Sequence, residues 1–504
     1  MSNVIGIDLG TSFSVVSTLD HTGRPVIVHN KNGQNMTPSV VSFEEDGTTE
    51  VGSGARLQLQ AGDPNTVGGF KRDMGTDITY PVHNQNLSPI QLSALVLTKL
   101  KEDTEEILGD IDETVITIPA NFGDKARSAT MEAAQLAGLP TRFIINEPTA
   151  AALYYAHEQE ESLNGIHVVY DLGGGTFDVS VIRVVDYDIE ILATNGVAKL
   201  GGDDFDEVLR TVMKKEFEKG SGGVLLDDSV YTKQDAEEDK ISLSTRERKR
   251  RRVSSGGHTE LIELTRQMFE EGISSMITQT VMLGEATMVE AGVTPQEIKE
   301  VFLAGGSTRI PAVQASVERT YGRSPKTSAN VDEVVSLGAS LYAAYKGESG
   351  LLNPLQRRAI EKINVTERTS KSYGLISYIT DENTKRQELA NSTMIPRNTV
   401  IPASVVEMFY TTHDGQTMVE CQVTEAGQAE RDPRFVDIIG KGELPLPEGR
   451  PSGQEVRVTF EYNVNQMMIC SFEDVETGKT TEVEIHMASH SNDETSPIER
   501  FKVV

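Results

Sequence analysis

Two glycine-containing segments share one arrangement of residues that suits phosphate binding. Residues 7–12 read Ile-Asp-Leu-Gly-Thr-Ser, and residues 170–178 read Tyr-Asp-Leu-Gly-Gly-Gly-Thr-Phe-Asp. In each, a predicted strand ends on an aspartate and turns through glycine into a hydroxyl residue. Glycine lets backbone N–H groups approach phosphate oxygens, and successive N–H groups form an anion-binding nest. Two such turns facing each other would grip one nucleotide from both sides.

The aspartates of the two turns, Asp8 and Asp171, indicate a metal ion. A carboxylate repels phosphate, so both fit best if a hydrated Mg²⁺ lies between them and the phosphates. Thr11 and Thr176 add side-chain donors. The competing interpretation is a glycine-rich turn after any buried strand, and the matched aspartates favour the nucleotide site over it.

Composition bounds the kind of protein. The chain has 504 residues, too many for one hydrophobic core, so several domains are expected. It has no apolar run long enough to span a membrane and no secretory signal. Its two cysteines, Cys421 and Cys470, are expected to be buried free thiols, which suits the cytoplasm. A net charge of -29 argues against nucleic-acid and anionic-membrane partners.

The pattern of strand-like and helix-like segments predicts two structural domains. Residues 1–347 alternate strand-like and helix-like segments, which is typical of an α/β domain. Residues 348–363 are interrupted by glycine and proline and predict a linker. Residues 364–488 contain short alternating segments separated by turns, which predicts an all-β sandwich. Residues 489–504 are polar and are expected to form a tail.

One basic cluster, residues 246–252, stands out from the acidic chain. It could be a nucleic-acid patch, but a helix would spread these charges around its circumference. A solvated face is therefore the default interpretation.

A series of motifs resembles one known family. They are IGIDLGTSFS (5–14), FKRDMG (70–75), TIPANF (117–122), INEPTAAALYYA (145–156), DLGGGTFDVS (171–180), GGDDFD (201–206) and AGGSTRIP (304–311). In this order they resemble the nucleotide-binding domain of DnaK-type chaperones, the seventy-kilodalton heat-shock family. The resemblance implies an actin-like ATPase domain with two lobes around a nucleotide cleft, followed by the β-sandwich, and a part in protein folding and the stress response.

The resemblance also implies a role for each matching residue. The catalytic set would be Lys71, Glu147, Asp171, Thr176 and Asp8, with Asp8 and Asp171 holding Mg²⁺ through water and Asp178 beside a monovalent-cation (K⁺) site. ATP or ADP would contact Gly10, Thr11, Ser12, Gly173, Gly174, Gly175, Gly201, Gly202, Glu247, Arg250, Arg251, Ser254, Gly305, Gly306, Ser307, Arg309 and Asp332. Arg250 stands at a position where the family has a lysine. Pro119 and Arg127 would relay the nucleotide state to the second domain.

The sandwich resembles the family's peptide-binding domain less closely. Val419 matches a residue of the apolar client pocket. Thr412 and Asn391 match positions that arch over the client, and both are polar here. The linker also departs from the family, since residues 359–364 read Ala-Ile-Glu-Lys-Ile-Asn instead of an acidic, leucine-rich stretch. The family's helical lid has no counterpart, which implies fast client exchange.

These features predict an ATP-hydrolysing, DnaK-like chaperone without a lid. Its expected partners are unfolded polypeptide clients, a J-domain co-chaperone and a nucleotide exchange factor, with no nucleic acid and no membrane. One alternative is a regulatory ATP-binding protein that recognises one dedicated partner, which the polar arch positions and the altered linker favour. A second is a small-molecule kinase with an actin-like fold, against which the sandwich argues.

Overall fold

The structure, a computed structural model, describes residues 3–158, 163–185, 188–326, 330–380, 387–464, 466–483 and 501–503. The first lobe comes from the first part of the chain. Its elements are β1 (Val4–Asp8), β2 (Phe13–Leu19), β3 (Pro25–Val28), β4 (Thr37–Pro38), β5 (Val40–Phe43), β6 (Thr48–Val51), α1 (Ser53–Gln60), β7 (Thr66–Gly68), β8 (Tyr80–Val82), β9 (Gln85–Leu87), α2 (Pro89–Leu108), β10 (Glu113–Ile118), α3 (Asp124–Leu136), β11 (Thr141–Asn146) and α4 (Glu147–Glu158).

The second lobe follows. Its elements are β12 (Gly165–Leu172), β13 (Phe177–Val185), β14 (Asp188–Val197), α5 (Gly202–Gly220), α6 (Lys233–Thr245), β15 (Arg248–Ser255), β16 (His258–Thr265), α7 (Arg266–Ala291), β17 (Ile298–Ala304), α8 (Pro311–Tyr321) and β18 (Asn364–Thr366). Two helices between α8 and β18 return to the first lobe: α9 (Val334–Lys346) packs on β1, β2 and β10, and α10 (Pro354–Ile360) is bonded through Gln356 to Leu19 O and Asp20 O. The remaining strands are β19 (Ser372–Thr380), β20 (Gln387–Ile395), β21 (Ala403–Tyr410), β22 (Met418–Ala426), β23 (Asp437–Pro445), β24 (Glu455–Tyr462), β25 (Met468–Asp474), β26 (Lys479–Val483) and β27 (Lys502–Val503).

Each lobe is built on a mixed sheet. The first sheet has the order β11-β10-β1-β2-β3, with β4 paired to β2, and the second has the order β17-β12-β13-β14-β18. In both, a central strand lies parallel to one neighbour and antiparallel to the strand that follows the glycine turn: β1 between β10 and β2, and β12 between β17 and β13. The two glycine turns therefore occupy equivalent places in two similar sheets.

Local sequence signals account for the longest helix of the first lobe. Ser88 caps α2, and Gln91 completes a capping box with Pro89 in the first turn. One face of α2 then packs into the core of the first lobe through Leu92, Val96 and Leu100. A second core lies around β12 and β13, and a third lies under α4 and α9 between the two sheets.

The sandwich consists of two four-stranded sheets, β20-β19-β22-β23 and β21-β24-β25-β26, which enclose their own core. Cys421 and Cys470 are buried free thiols in that core, as predicted. Burial raises the pKa of Cys421 to about 12, which keeps it protonated and unreactive.

The sandwich begins later than the sequence analysis places it. Residues 364–366 form β18, which pairs in parallel with β14 of the second lobe, and the sandwich sheets start at Ser372. The predicted linker is not irregular throughout, because Asn353 caps the short helix α10. The predicted tail lies mostly outside the described residues, but Lys502 and Val503 form a strand on β6. In the described ranges, no helix has the length and apolar content to cross a bilayer.

Candidate functional site

The two glycine turns face each other across the cleft between the lobes. A Cβ atom on Gly174 would lie 2.1 Å from Ser12 Oγ, and one on Gly175 would lie 2.6 Å from the Thr11 side chain. A third glycine segment supports the second turn: Gly202 N donates to Gly173 O at 3.0 Å and Asp203 N donates to Gly174 O at 2.7 Å. Side chains larger than hydrogen are excluded at these positions, so the turns present backbone to the cleft.

An inner cavity of about 110 Å³ lies between these turns. The predicted site residues that line it are Asp8, Gly10, Thr11, Ser12, Lys71, Glu147, Asp171, Gly173, Gly174, Thr176, Gly305, Gly306 and Asp332. Gly175 and Gly201 pack directly behind the turns instead of lining the cavity. The structure thus brings together residues from six separate segments of the chain.

Lys71 lies in the inner cavity among carboxylates. Its side chain is only 5% exposed, and Nζ donates to Glu147 Oε1 at 2.6 Å. Burial alone would lower the pKa of Lys71, but the charges of Glu147 and Asp8 hold it above its usual value. Lys71 is therefore a fixed positive charge inside the cleft.

The carboxylates outnumber this cation. Burial, together with the charge of Glu147, raises the pKa of Asp8 to about 7, although Thr117 donates a hydrogen bond to it at 2.9 Å. Burial and the charges of Glu147 and Asp8 raise the pKa of Asp171 as well. These raised pKa values reflect an excess of buried carboxyl groups in the cleft over the buried cation Lys71, which favours the entry of a metal cation.

Asp178 adds a further carboxylate beside Asp171, since the two residues are paired across β12 and β13. Burial and the charges of Glu147 and Asp171 raise its pKa, and Asn121 N donates to its Oδ1 at 3.2 Å. Its Oδ2 has no hydrogen-bond partner within the described part of the chain. In that same part, no group of three or more His, Cys, Asp or Glu side chains is arranged to ligate a metal directly. The carboxylate oxygens of Asp8, Asp171 and Asp178 are the kind of donor that a hydrated cation prefers.

An outer cavity of about 480 Å³ continues from the inner one, and the two share Ser12, Gly174, Gly306 and Asp332. Gly202, Ser307 and Arg309 line it, as the sequence predicts. Ser307 Oγ donates to Gly173 O at 2.8 Å, and Arg309 is paired with Asp332 at 2.7 Å. The cavity is large enough for a flat base and a sugar, while the inner one is small and polar.

Helix α6 forms one wall of the outer cavity, where the sequence predicts residues of the segment 247–254. Glu237, Lys240 and Ser244 of this helix line the cavity. Lys240 Nζ donates to Gly202 O at 2.9 Å and pairs with Asp206 at 2.8 Å. The signal that could have identified them is the spacing Glu-x-x-Lys-x-x-x-Ser at residues 237–244, which lies ten positions before the segment chosen in the sequence analysis.

The predicted set Glu247, Arg250, Arg251 and Ser254 does not line either cavity, which corrects that assignment. Residues 248–255 form β15 of a hairpin, not a helix. Arg250 points outward and pairs with Glu263 at 2.6 Å. Arg251 instead braces α6, since its guanidinium donates to Asp239 at 2.9 Å and contacts Asp235 at 2.5 Å. The basic cluster is thus partly neutralised and partly structural.

Ion pairs between the lobes close the cleft on its outer side. Arg56 of α1 pairs with Glu237 of α6 at 2.5 Å. Arg72 donates to both carboxylate oxygens of Asp204 at 3.0 Å. These pairs cross from one lobe to the other, so opening the cleft must break them.

Arg127 connects the cleft region to the sandwich. Its fully buried guanidinium donates to Phe122 O at 3.0 Å and to Ala120 O at 3.3 Å, in the turn that begins at Pro119. The same guanidinium donates to Ser370 at 3.3 Å and to Gln466 of the sandwich. Because Asn121 in that turn contacts Asp178, an unbroken set of contacts joins the acidic cleft to the second domain.

The three predicted peptide-binding residues are not equivalent in the structure. Thr412 is exposed, and its backbone N–H and its hydroxyl both donate to Gln416 Oε1. Val419 packs against the sandwich core. Asn391 is buried, donates to Glu430 O at 2.6 Å and accepts from Thr424 at 2.6 Å. Thr412 is therefore accessible to a ligand, Val419 is accessible in part, and Asn391 is not accessible.

The fold and the cleft define a class: a two-lobed α/β unit with an acidic central cleft, joined to a β-sandwich that contacts it. A family model of Hsp70 proteins matches residues 4–502, essentially the whole chain. The chain belongs to the Hsp70 family, whose members are ATPases with ATP-dependent chaperone activity. The resemblance seen in the sequence motifs is thereby confirmed.

Proposed function

We propose that this protein binds ATP between its lobes, hydrolyses it, and uses the nucleotide state to control the binding of unfolded polypeptide segments by the sandwich. The observation that carries the proposal is the meeting of both glycine turns with Lys71 and the buried carboxylates in one cavity. Family membership favours this function over that of a small-molecule kinase.

Each residue of the inner cavity has its own proposed role in ATP hydrolysis. Backbone N–H groups of the two turns bind the phosphate oxygens, with Thr11 and Thr176 as additional donors. Asp8 and Asp171 would hold Mg²⁺ through water, and this ion would neutralise charge on the phosphates. Lys71 stabilises negative charge on the transferred phosphoryl group, and its hydrogen bond to Glu147 fixes its position. Glu147 also orients the attacking water.

The outer cavity takes the nucleoside. Glu237, Lys240 and Ser244 on one side and Arg309 and Asp332 on the other surround a space that suits ribose and adenine. Asp178, with one unpartnered carboxylate oxygen among the described residues, is the candidate for the K⁺ site.

The contacts of Arg127 support coupling between cleft and sandwich. A change in the turn at Pro119 would alter its hydrogen bonds to Gln466 and Ser370, and so the position of the sandwich. Such coupling is reciprocal, so client binding must also affect the nucleotide site. A J-domain co-chaperone, an exchange factor and a cytoplasmic location remain predictions from the family resemblance.

The direct test of the ATPase proposal is hydrolysis by Lys71→Ala with Mg²⁺ present. The variant is expected to lose at least about a hundredfold in rate, since it removes the positive charge in the cavity. Lys326→Ala is the matched control, because it removes an ion-paired lysine outside the cleft, 3.0 Å from Glu300. Equal rates in both variants would refute the proposed role of Lys71.

A second function has one observation in its favour. Asn391, which matches an arch position, is buried and hydrogen-bonded to Thr424 and Glu430, so the client groove is altered. This favours a regulatory protein that holds ATP and recognises one dedicated partner. Turnover that ignores a panel of unrelated unfolded peptides, yet still requires Lys71, would support this alternative.

A further inference from the structure

The small sheet of the first lobe gains a strand from the far end of the described chain. Its order is β27-β6-β5-β7, and β27 lies parallel to β6 with Lys502 opposite Thr48 and Val503 opposite Thr49. Without these residues, β6 would be an open edge with unpaired backbone groups. An open edge is a general site for strand addition.

The apolar side chains of this segment follow the two-residue period of a strand. Phe501 and Val503 pack against the core of the first lobe, whereas Lys502 is exposed. The ring of Phe501 meets that of Phe43 edge to face, with centroids 5.3 Å apart and an interplanar angle of 67°. Such aromatic pairs add stability beyond the area they bury.

Charge and burial on β6 match the segment. Val51, on the inward face of β6, is buried in the same core against which Phe501 and Val503 pack. In the turn before β6, hydrogen bonds from Thr48 lower the pKa of Asp46, and the nearby charge of Lys502 adds to this effect. An apolar–basic–apolar triplet therefore fits this edge.

The opposite edge of the same sheet leads to the nucleotide cleft. Strand β7 ends at Gly68, and the following 3-10 turn, Phe70–Asp73, carries Lys71. Phe70 is buried in the same core that receives Phe501 and Val503. The added strand thus completes the sheet and core from which Lys71 extends.

We propose that the edge of β6 is a strand-addition site for an extended segment with apolar residues at alternate positions, and that residues 501–503 of the same chain occupy it. This occupant braces the small sheet and, through β7, the segment that carries Lys71. The inference does not rest on the proposed ATPase function, because it concerns strand pairing alone.

Hydrogen exchange in the full-length chain tests the proposal. The double variant Phe501→Ser with Val503→Ser is expected to speed exchange of the amides in residues 48–51 by about tenfold or more, since local opening follows the loss of packing. Lys502→Ser is the matched control and should exchange like the wild type. A synthetic peptide of residues 496–504 should restore protection to the double variant, and the same peptide with both serines should not. Unchanged exchange in the double variant overturns the proposal.

A second measurement does not depend on the stability of that variant. Thr48→Cys and Lys502→Cys are introduced together, and the two natural cysteines are buried in the sandwich. Oxidation is expected to link the two within one chain. A linked dimer would assign the strand to a second copy, and the absence of any link would remove the strand from β6; either result overturns the proposal.

Discussion

Single residues in the cleft act through the charge that surrounds them. Lys71 is buried with Glu147, Asp8 and Asp171, and a metal ion bound beside a nucleotide would offset this excess of negative charge. The sequence could predict the two turns and their aspartates, because glycine and aspartate at these places have few other uses. The prediction took Glu247 instead of Glu237, since both begin similar polar patterns ten positions apart, although only Glu237 has a lysine at the third position after it.

The reassigned wall of the outer cavity leads to the first prediction. Lys240→Ala is expected to weaken ATP binding by about tenfold, because it removes a charged donor that holds Gly202 beside the second turn. Arg250→Ala removes a charge of the same sign on the exposed hairpin and should leave affinity unchanged. Calorimetric titration of both variants checks this, and a larger effect from Arg250→Ala would restore the original assignment.

Close backbone approach behind the turns leads to the second prediction. A Cβ atom on Gly201 would lie 2.6 Å from backbone atoms of Gly174, so Gly201→Ala must displace the second turn. We expect nucleotide affinity to fall by about tenfold or more, with a smaller loss of thermal stability. Gly427→Ala, which meets nothing within 4 Å, is the control. Titration of both variants with a fluorescent nucleotide measures their affinities, and identical affinities would contradict the prediction.

At the scale of elements, local signals predicted helices where tertiary structure agreed with them. The capping box at Ser88 starts a helix of 20 residues. A similar box at Thr294 starts only a 3-10 turn of 3 residues, because Ile298 enters the parallel strand β17 beside β12. Residues 248–255 have charges that suit a helix but pair with β16, since Val253 is then buried in the core of the second lobe. Strand pairing determined the structure in both cases, with a strand distant in sequence for β17 and with the adjacent hairpin strand for β15.

The start of α3 forms the contact with the sandwich and leads to the third prediction. Asp124 N donates to Glu425 at 2.8 Å, and Met468 N donates to the Asp124 carboxylate at 3.3 Å. Burial, with the charge of Glu425, raises the pKa of Asp124 from 3.8 to about 7, although Arg127 opposes this. The docked state therefore keeps a proton between these pH values that the undocked state loses.

Docking should consequently weaken as the pH rises from about 4 to about 7, by at most about tenfold per pH unit for one proton, and change little outside that range. Energy transfer between dyes on the first lobe and on the sandwich measures the docked fraction. Asp124→Asn, which keeps the size but not the charge, should remove the dependence. A dependence that survives in this variant would show that another group is responsible.

In the whole molecule, several elements connect the sandwich region to the two-lobed α/β unit. Strand β18 extends the sheet of the second lobe, and Arg397 pairs with Glu290 at 3.3 Å. The sequence predicts two domains and a linker at 348–363. It predicts the strands of the eight-stranded sandwich only in part. It could not predict that residues 364–366 leave the sandwich or that residues 501–503 reach β6, because strand pairing between distant segments has no local signal.

The central claim is that this arrangement couples ATP turnover to client binding. Steady-state ATP hydrolysis with Mg²⁺, with and without excess unfolded apolar peptide, tests it most directly, with Lys71→Ala as the inactive control. The account predicts a slow basal rate that peptide raises several-fold and that the variant lacks. A rate that requires Lys71 but does not respond to peptide would contradict the coupling and leave a dedicated partner as the ligand of the sandwich.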